Sequence, residues 1–314
     1  MQPPTVIPES AGTGILVEDV TRWFGEVQAL SGMSFTAPYG QVTALVGPNG
    51  AGKTTVLLVL ASLLSPDRGR VLVAGVDPAV DARAVRSRVG WMPDAFGVYE
   101  QLTAREYLRF FARAYDLPRD VVAARVPQLL AMVHLTEFAD RPVHVLSRGQ
   151  KQRLALTRAL VHEPRVVLLD EPAAGLDPRS RVELRDILRA QAAQGVAVLV
   201  SSHILSELEE VADRVVFVDG GATVGEQTMA ELHAAAASAY RVRAADQSRL
   251  TDVLREKEIP YSTVGGAVEL PAMTEQDAAR TLELLVTAGA GVVAFDRVRG
   301  DLESAYLSMT EDRG

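Results

Sequence analysis

The chain has 314 residues, of which 48% are hydrophobic and 23% charged, enough for two globular domains with buried cores. It contains no cysteine, which excludes disulfides and thiolate metal sites. Its net charge of -8 argues against a nucleic acid or an anionic membrane surface as the main partner, so we expect no nucleic-acid partner.

The first residues, 1–14, predict a flexible tail. They lack the basic segment followed by an apolar core that marks a signal peptide. The apolar stretch at 56–64 is also far shorter than the roughly 20 residues of a membrane-spanning helix. We therefore expect that the chain does not cross a membrane by itself.

From residue 15 to about residue 219 the chain alternates short apolar runs with amphipathic stretches, a pattern typical of an α/β domain, which we place at 15–233. Fully apolar runs stand at 42–47, 165–170 and 196–202. These predict buried parallel strands, because strands that are covered on both faces lose the alternation of polar and apolar residues.

The segment GPNGAGKTT, residues 47–55, follows the first of these strands and precedes a helical stretch. It has both the spacing G-x-x-x-x-G-K-[ST] and the strand–loop–helix context of a phosphate-binding loop. Its glycines let successive backbone amides point at phosphate oxygens, and the positive end of the next helix adds to the attraction. We expect phosphate contacts from Gly47, Pro48, Asn49, Gly50, Ala51, Gly52, Lys53, Thr54 and Thr55.

Two side chains of this loop have specific expected roles. Lys53 is one of only three lysines in a chain with 32 basic residues, and it stands where a compact ammonium on a flexible stem suits a phosphate. Thr54 is expected to ligate Mg²⁺ through its hydroxyl. A chance glycine-rich turn is the alternative, and the strand–loop–helix context argues against it.

Residues 97–146 are mostly helical and predict an inserted helical subdomain. The stretch LTAREYLRFFARAYDL, residues 102–117, is the clearest helix in it. Thr103 and Glu106 have the spacing of a capping box at its start.

A carboxylate pair ends the strand at 165–170. Asp170 lies where open α/β sheets place their ligands and is expected to hold Mg²⁺ through water. Glu171 is a candidate general base for the attacking water, a role worth about 10²–10⁴ in rate. The alternative, that both carboxylates merely end a strand and cap a turn, is disfavoured by the phosphate loop.

The C-terminal residues, 234–314, predict a separate accessory domain that begins at an alanine run. The order of strands and helices there is βαββαβ, the split ferredoxin-like motif. This domain has no obvious catalytic constellation. We expect it to brace a dimer or to regulate, for instance by sensing a small molecule; the alternative is that it does neither.

A phosphate loop alone does not name a reaction, because GTPases, small kinases and motor ATPases share it. The only asparagine in the chain is Asn49, inside the loop itself. The chain therefore cannot contain the Asn-Lys-x-Asp box by which GTPases read guanine.

In order along the chain, GPNGAGKTT, LSRGQ, VVLLDEP, AAGLDP and SSH resemble the nucleotide-binding subunit of an ABC transporter, over about residues 15–230. The resemblance implies a P-loop NTPase core of ABC type that binds and hydrolyses ATP with Mg²⁺. In that family the signature LSGGQ binds the γ-phosphate of ATP held by the other subunit. Ser147, Gly149 and Gln150 are therefore expected to face a partner's nucleotide, in a homodimer or a heterodimer that encloses two ATP molecules head to tail. A hydroxyl, a glycine amide and a helix N-terminus together suit an anion.

The resemblance assigns three further roles. Phe24 matches the aromatic residue that stacks on adenine, although the adjacent Trp23 could take that place and a buried strand-edge ring is the alternative. Asp177, in AAGLDP, matches the loop that senses the opposite subunit. His203 matches the switch histidine that contacts the γ-phosphate and orients the water, where a locally satisfied histidine is the alternative.

The sequence departs from the family pattern at two positions. Asp94 stands where the family has glutamine; it can still ligate Mg²⁺ through water, but it has no amide donor to orient the nucleophile. Arg148 replaces the third residue of the signature, a glycine, and would either add positive charge near the neighbouring phosphate or point into solvent.

The leading hypothesis is an export-type transporter ATPase on the cytoplasmic face of the cell membrane, docked on separately encoded integral membrane permease subunits. Residues 97–146 and the Asp94 loop are expected to receive that partner, with FGVYEQLT at 96–103 as the first place for contacts. The alternative is a soluble ABC ATPase that acts on ribosomes or DNA. A single phosphate loop, a single signature and the acidic balance argue against that alternative.

Overall fold

The computed structural model describes residues 12–297 except 95–96, 98, 100, 205–207, 237–238, 265–266 and 272. Most of the predicted tail and the end of the accessory domain lie outside the described residues. The chain divides into two compact units, Met1–Gln227 and Thr228–Gly314. No helix in the described part of the chain is both long and apolar enough to span a membrane.

The first unit contains a three-stranded antiparallel sheet and a six-stranded sheet. The smaller sheet has the order β2-β1-β4, with β1 at Thr13–Phe24, β2 at Val27–Pro38 and β4 at Arg68–Val73. Because β1 begins at Thr13, the prediction of a tail as far as residue 14 was wrong for its last two residues. Ile15 is fully buried, and this burial holds the start of the strand in place.

The larger sheet has the order β5-β6-β7-β3-β8-β9. Its strands are β3 (Val42–Val46), β5 (Val89–Met92), β6 (Val166–Asp170), β7 (Ala197–Ser202), β8 (Arg214–Asp219) and β9 (Ala222–Thr228). In this sheet order, each strand from β5 to β8 runs parallel to its neighbour. Every residue of β3, β6 and β7 is buried. This confirms the buried parallel strands predicted from the apolar runs.

The helices of the first unit are α1 (Lys53–Leu60), α2 (Ala82–Arg86), α3 (Ala104–Ala114), α4 (Arg119–Met132), α5 (Arg148–Leu160) and α6 (Pro178–Ala193). Leu57 and Leu60 of α1 join a core that both sheets line. Burying one such side chain is favourable by about 1.5–3 kcal/mol, so α1 is firmly seated and the loop before it is held in place.

Two of these helices, α3 and α4, lie within the predicted helical subdomain. The start of α3 is fixed by the predicted capping box: Thr103 Oγ1 accepts from the Glu106 amide at 3.2 Å, and Glu106 accepts from the Thr103 amide at 2.9 Å. Both amides would otherwise lack an intrahelical acceptor. The helix ends at Ala114, three residues before the end of the predicted stretch at Leu117.

The second unit begins with α7 (Met229–Ala236) and continues as β10 (Tyr240–Ala244), α8 (Gln247–Glu256), β11 (Ser262–Val264), β12 (Ala267–Leu270), α9 (Glu275–Thr287) and β13 (Val292–Arg297). Its sheet is antiparallel, with the order β11-β12-β10-β13. Both the order of the elements and the sheet topology are those of the predicted ferredoxin-like motif. Its core is separate and includes Val242, Leu250, Val268 and Leu285.

The division between the units falls earlier than the sequence indicates. It lies between Gln227 and Thr228, whereas the predicted boundary was 233/234. The alanine run that suggested a joint instead continues α7 to Ala236. Alanine is the best helix former, so such a run extends a helix rather than interrupting it.

Candidate functional site

The glycine-rich loop at 47–52 connects the carboxyl end of β3 to the start of α1. A Cβ at Gly47 would lie 2.1 Å from the Val218 carbonyl oxygen, so the strand β8 leaves no room for a side chain. Gly52 has a φ of 94°, and a Cβ there would lie 2.7 Å from the Ala29 carbonyl oxygen. Gly47 therefore cannot be replaced because a neighbouring strand approaches it closely. Gly52 cannot be replaced for the same reason and because its backbone has a positive φ.

The first turn of α1 is free to bind an anion. Gly52 is its N-cap and offers no side-chain acceptor, and the first turn contains no acidic residue. The first amides of a helix have no intrahelical acceptor, and the positive end of the helix dipole lies there. The loop and α1 together thus present backbone N–H donors to a negatively charged group.

Lys53 lies over this loop and is only 7% exposed. Its Nζ donates to the carbonyl oxygens of Gly47 at 2.6 Å and Pro48 at 3.1 Å. Burial lowers the pKa of this ammonium, and the charges of Glu171 and Asp170 oppose that shift. Two carbonyl oxygens thus hold the cation on the loop, and the charges of two nearby carboxylates favour its protonated form.

Asp170, at the end of β6, joins three elements and is 3% exposed. Its Oδ2 accepts from Thr54 Oγ1 of α1 at 2.8 Å, and its Oδ1 accepts from Ser201 Oγ of β7 at 2.6 Å. A buried carboxylate needs such donors, because an unpaired charge is costly away from water. The structure therefore brings the predicted Thr54 and Asp170 together, and adds Ser201.

The oxygens of Thr54 and Asp170 fit a magnesium ion. Mg²⁺ prefers oxygen ligands, keeps several waters and is commonly bound by one or two carboxylates together with substrate phosphates. The hydroxyl and the carboxylate converge at the base of the amide-rich loop, beside the place expected for phosphates. Across the described residues, no group of three or more His, Cys, Asp and Glu side chains is placed to hold a metal ion.

Glu171 adopts a backbone φ of 49°, which is unusual for a non-glycine residue and costs about 1–2 kcal/mol. Its amide donates to Ser201 Oγ at 3.1 Å and to the Ser201 carbonyl at 3.2 Å. Its Oε2 lies 2.9 Å from Nδ1 of His203. These contacts hold the carboxylate at the carboxyl edge of the sheet, next to Asp170 and within reach of the loop.

Two residues at this site were missed in the sequence. Ser201 contacts both Asp170 and Glu171, and the hydroxyl pair that ends an otherwise apolar strand was the available signal. Gln152 is 9% exposed in α5, and its Nε2 donates to the Pro172 carbonyl at 3.1 Å. An amide on the apolar face of a helix was the signal for Gln152.

The LSRGQ segment forms the start of α5. Ser147 is the N-cap, its Oγ accepts from the Gln150 amide at 3.3 Å, and the Gln150 side chain accepts from the Ser147 amide at 2.9 Å. Gly149 lies beside Leu176, with room for an ordinary contact. Ser147 is exposed, and Gly149 and Gln150 are half-buried, so this helix start faces outward.

The Arg148 side chain is exposed and lies against Gly175, in the loop that follows Glu171: a Cβ at Gly175 would be 2.8 Å from Arg148 Nε. The loop ends at Asp177, the N-cap of α6, whose carboxylate accepts from the Ser180 amide at 3.0 Å and hydroxyl at 2.7 Å. These bonds lower the pKa of Asp177, so the exposed residue carries a negative charge at neutral pH.

Phe24 and Trp23 stand at the end of β1, where the chain turns into β2. Phe24 is 48% exposed and Trp23 is 45% exposed, so neither is a buried strand-edge ring. The Arg22 guanidinium lies 5.0 Å from the Phe24 ring centre. Both rings are available to a planar ligand.

Asp94 follows β5 and is exposed. It stands at the same carboxyl edge as Asp170, because β5 and β6 are parallel neighbours. In the expected contact segment FGVYEQLT, residues 96, 98 and 100 lie outside the described residues. Tyr99 is described and packs on Phe110, with ring centres 5.1 Å apart.

Several known proteins are similar to this chain. Residues 30–174 match the family described as ABC transporter. The chain is 37% identical to the daunorubicin resistance ATP-binding protein DrrA3 of Streptomyces coeruleorubidus, over 84% of this chain and 79% of that protein. It is 36% identical to the Nod factor export ATP-binding protein I of Ralstonia nicotianae, over 74% of this chain and 72% of that protein.

A solved structure described as the ATP binding subunit of an ABC transporter is similar with a TM-score of 0.66, at 30% identity over 70% of this chain and 92% of that one. This agrees with the fold class expected for the first unit. The alignment with the Streptomyces protein covers 264 residues, more than the first unit contains, so that likeness extends into the second unit.

Proposed function

The chain belongs to the ATP-binding subunits of ABC transporters, and from this membership we propose that it powers export through separately encoded membrane subunits. The observation that carries the proposal is one cluster: Lys53, Thr54, Asp170, Glu171 and His203 meet at the carboxyl ends of β3, β6 and β7. Relatives named for daunorubicin resistance and for Nod factor export support export as the direction.

The loop at 47–55 binds the phosphates of ATP. Its amides and the start of α1 supply the donors, and Lys53 leaves its two carbonyl acceptors to reach a phosphate oxygen. The carbonyls hold the flexible ammonium close to its destination, so little reorganisation is needed when the phosphate arrives. Phe24, or the adjacent Trp23, stacks on the adenine.

Thr54 and Asp170 would hold Mg²⁺, with Asp170 acting through water, and Asp94 would be a further ligand through water. The bound ion would neutralise charge on the phosphates and orient them. Ser201 keeps Asp170 in place, because its hydroxyl donates to the carboxylate oxygen that Thr54 does not occupy.

Glu171 is the general base for the attacking water, and His203 orients that water molecule. In the 2.9 Å contact, Nδ1 of His203 donates its proton to the Glu171 carboxylate, because an ionised carboxylate can only accept. The other ring nitrogen, Nε2, contacts the γ-phosphate, so His203 bridges Glu171 and the phosphate.

The active form is a head-to-tail dimer, either of two copies or with a second ATP-binding subunit. Ser147, Gly149 and Gln150 bind the γ-phosphate of ATP held by the partner, and Asp177 contacts the partner. The outward-facing start of α5 and the exposed carboxylate of Asp177 support this arrangement.

The membrane partner docks on a groove of about 200 Å³ between α1, β5, α3 and α5. Its lining includes Leu63, Trp91, Phe111 and Arg158. We call these residues, with the adjacent exposed Phe110, the aromatic groove. Arg158 donates to the Trp91 carbonyl and lies over the Phe111 ring, so the apolar groove has a fixed cationic edge. Docking there places the chain at the cytoplasmic face of the membrane.

Affinity purification of the full chain from detergent-solubilised membranes, followed by mass spectrometry, tests this function. We expect a stoichiometric polytopic membrane protein, and we expect Phe110→Asp in the aromatic groove to abolish its recovery. Leu284→Asp, at an exposed position of α9, is the matched control and should leave recovery unchanged. Recovery of ribosomal or DNA-associated proteins alone would contradict the transporter role.

A further inference from the structure

The helix α5 supplies a buried amide to the loop that carries Glu171. Nε2 of Gln152 donates to the Pro172 carbonyl at 3.1 Å and approaches the Glu171 carbonyl at 3.5 Å. The first distance is that of a hydrogen bond, and the second lies at the outer limit of one. Gln152 is 9% exposed, so water cannot easily take over as the donor.

The backbone of Glu171 depends on such contacts. A non-glycine residue at a φ of 49° remains there only when its surroundings hold it. Ser201 holds the Glu171 amide on one side. On the other side the Glu171 carbonyl accepts from the Ala174 amide at 3.1 Å, and Gln152 adds a side-chain donor near the same oxygen. The carbonyl of Pro172 would lose its donor and stay buried if Gln152 were apolar.

The chemistry of the amide suits this task. The side chain of glutamine carries two N–H donors on one planar group, which can serve two successive carbonyl oxygens. A carboxylate of the same size has no donor when ionised and would face those oxygens with a negative charge. A methionine of similar length would fill the space without any strong donor.

We propose that Gln152 is a positioning residue for ATP hydrolysis: its amide fixes the backbone of Glu171 and so aims the carboxylate at the water and at His203. The inference rests on the proposed role of Glu171 as general base. Gln152 does not touch the substrate, so it acts on the rate of the chemical step and not on ATP binding.

The test measures steady-state hydrolysis of Mg-ATP by the full chain, with kcat and KM determined separately. Gln152→Met should lower kcat roughly ten- to hundredfold, because a small misplacement of a catalytic group has an effect of that size, while KM changes less than twofold. Gln128→Met, the same exchange at an exposed position of α4, should leave both constants unchanged.

A second variant gives a readout that simple loss of packing would not produce. Gln152→Glu keeps the volume, and only its protonated form has an O–H that can donate to the Pro172 carbonyl. The ratio of its kcat to that of the wild type should therefore rise several-fold as the pH is lowered from 8.5 to 6. If Gln152→Met does not fold, the pH dependence of this kcat ratio alone tests the positioning role.

The possible outcomes distinguish the positioning role of Gln152 from the role of Glu171 as general base. If Glu171→Gln abolishes hydrolysis but Gln152→Met keeps kcat within twofold, or if only KM rises, the positioning role is overturned. A pH-independent ratio for Gln152→Glu overturns it as well. If Glu171→Gln itself keeps the wild-type kcat, the assignment of the base in the proposed function fails instead.

Discussion

The carboxylate of Glu171 and the imidazole of His203 are joined at 2.9 Å, and they differ in exposure: the Glu171 side chain is 16% exposed and that of His203 is 49% exposed. The carboxylate is thus largely enclosed, while about half of the histidine side chain is exposed. This arrangement suits a base that is set in advance and a histidine that completes its contacts only when ATP is present.

Replacing Glu171 separates ATP binding from hydrolysis. Glu171→Gln should lower kcat by about 10²–10⁴, the usual contribution of a general base, and leave the affinity for ATP within a few-fold of the wild type. Steady-state hydrolysis and equilibrium ATP binding measure the two effects. Glu256→Gln, an exposed exchange in α8, is the control. Hydrolysis that persists in Glu171→Gln would remove Glu171 from the mechanism.

Lys53 should not be replaceable by arginine. Lys53→Arg keeps the charge but puts a planar fork where a compact ammonium reaches two carbonyl oxygens in a buried position. We expect ATP affinity to fall at least tenfold, which corresponds to about 1.4 kcal/mol. Calorimetric titration with Mg-ATP measures the change, and Lys257→Arg in the second unit serves as the control. Equal affinity of Lys53→Arg and wild type would refute the argument.

Two helix caps distinguish a role in dimerisation from a role in folding. Ser147→Ala and Thr274→Ala each remove the side-chain cap of a helix, α5 and α9, and each should cost about 0.5–2 kcal/mol of stability. Only Ser147→Ala should weaken the ATP-dependent dimer that Glu171→Gln accumulates, because only Ser147 is proposed to face a partner's phosphate.

Size-exclusion chromatography at saturating Mg-ATP, in the Glu171→Gln background, makes this comparison. If Ser147→Ala and Thr274→Ala reduce the amount of dimer equally, the loss of dimer is an effect of lower stability. Undiminished dimer with Ser147→Ala would contradict the signature argument.

The half-buried His162 should make the stability of the first unit pH-dependent. Burial lowers the pKa of His162 from 6.5 to about 4, although the hydrogen bond between its ring and the Val89 carbonyl favours the charged form. The imidazole also stacks on the Tyr115 ring, with ring centres 3.7 Å apart. The unfolded state therefore binds a proton between pH 6.5 and 4 that the folded state does not. The free energy of unfolding should fall as the pH drops through this window, by about 3 kcal/mol at most, and be unaffected by His162 above it.

Urea unfolding between pH 4 and 7.5 measures this loss. His162→Gln should remove that part of the pH dependence, whereas His134→Gln, an exposed exchange, should keep it. A wild-type pH dependence that persists unchanged in His162→Gln would assign the titration to other groups.

The parts of the site that could be predicted from the sequence are those set by local pattern. The apolar runs predicted β3, β6 and β7, and Asp170 and Glu171 followed from the end of β6. The capping box at Thr103 was equally readable, because both of its partners lie within one helical turn.

The parts that were missed depend on tertiary register. Ser201 reaches Asp170 because β6 and β7 pair with Asp170 opposite Ser201. Gln152 reaches Pro172 through the packing of α5 on the loop, and Arg148 lies on Gly175 for the same reason. No short-range pattern encodes these distances, since the paired residues are far apart along the chain.

The continuity of α7 determines where the protein can be divided. At the start of this helix the Glu231 carboxylate accepts from the Thr228 amide at 2.7 Å, and the Thr228 hydroxyl accepts from the Glu231 amide at 3.1 Å. A truncation beginning at residue 234 or 236 would leave a capped helical stub on the ATPase and deprive the remainder of its first turn. A cut between Gln227 and Thr228 leaves that bonded pair with the C-terminal piece and removes only the final residue of β9. Whether the second unit restrains ATP turnover or braces a dimer is therefore best asked of the chain that ends at Gln227.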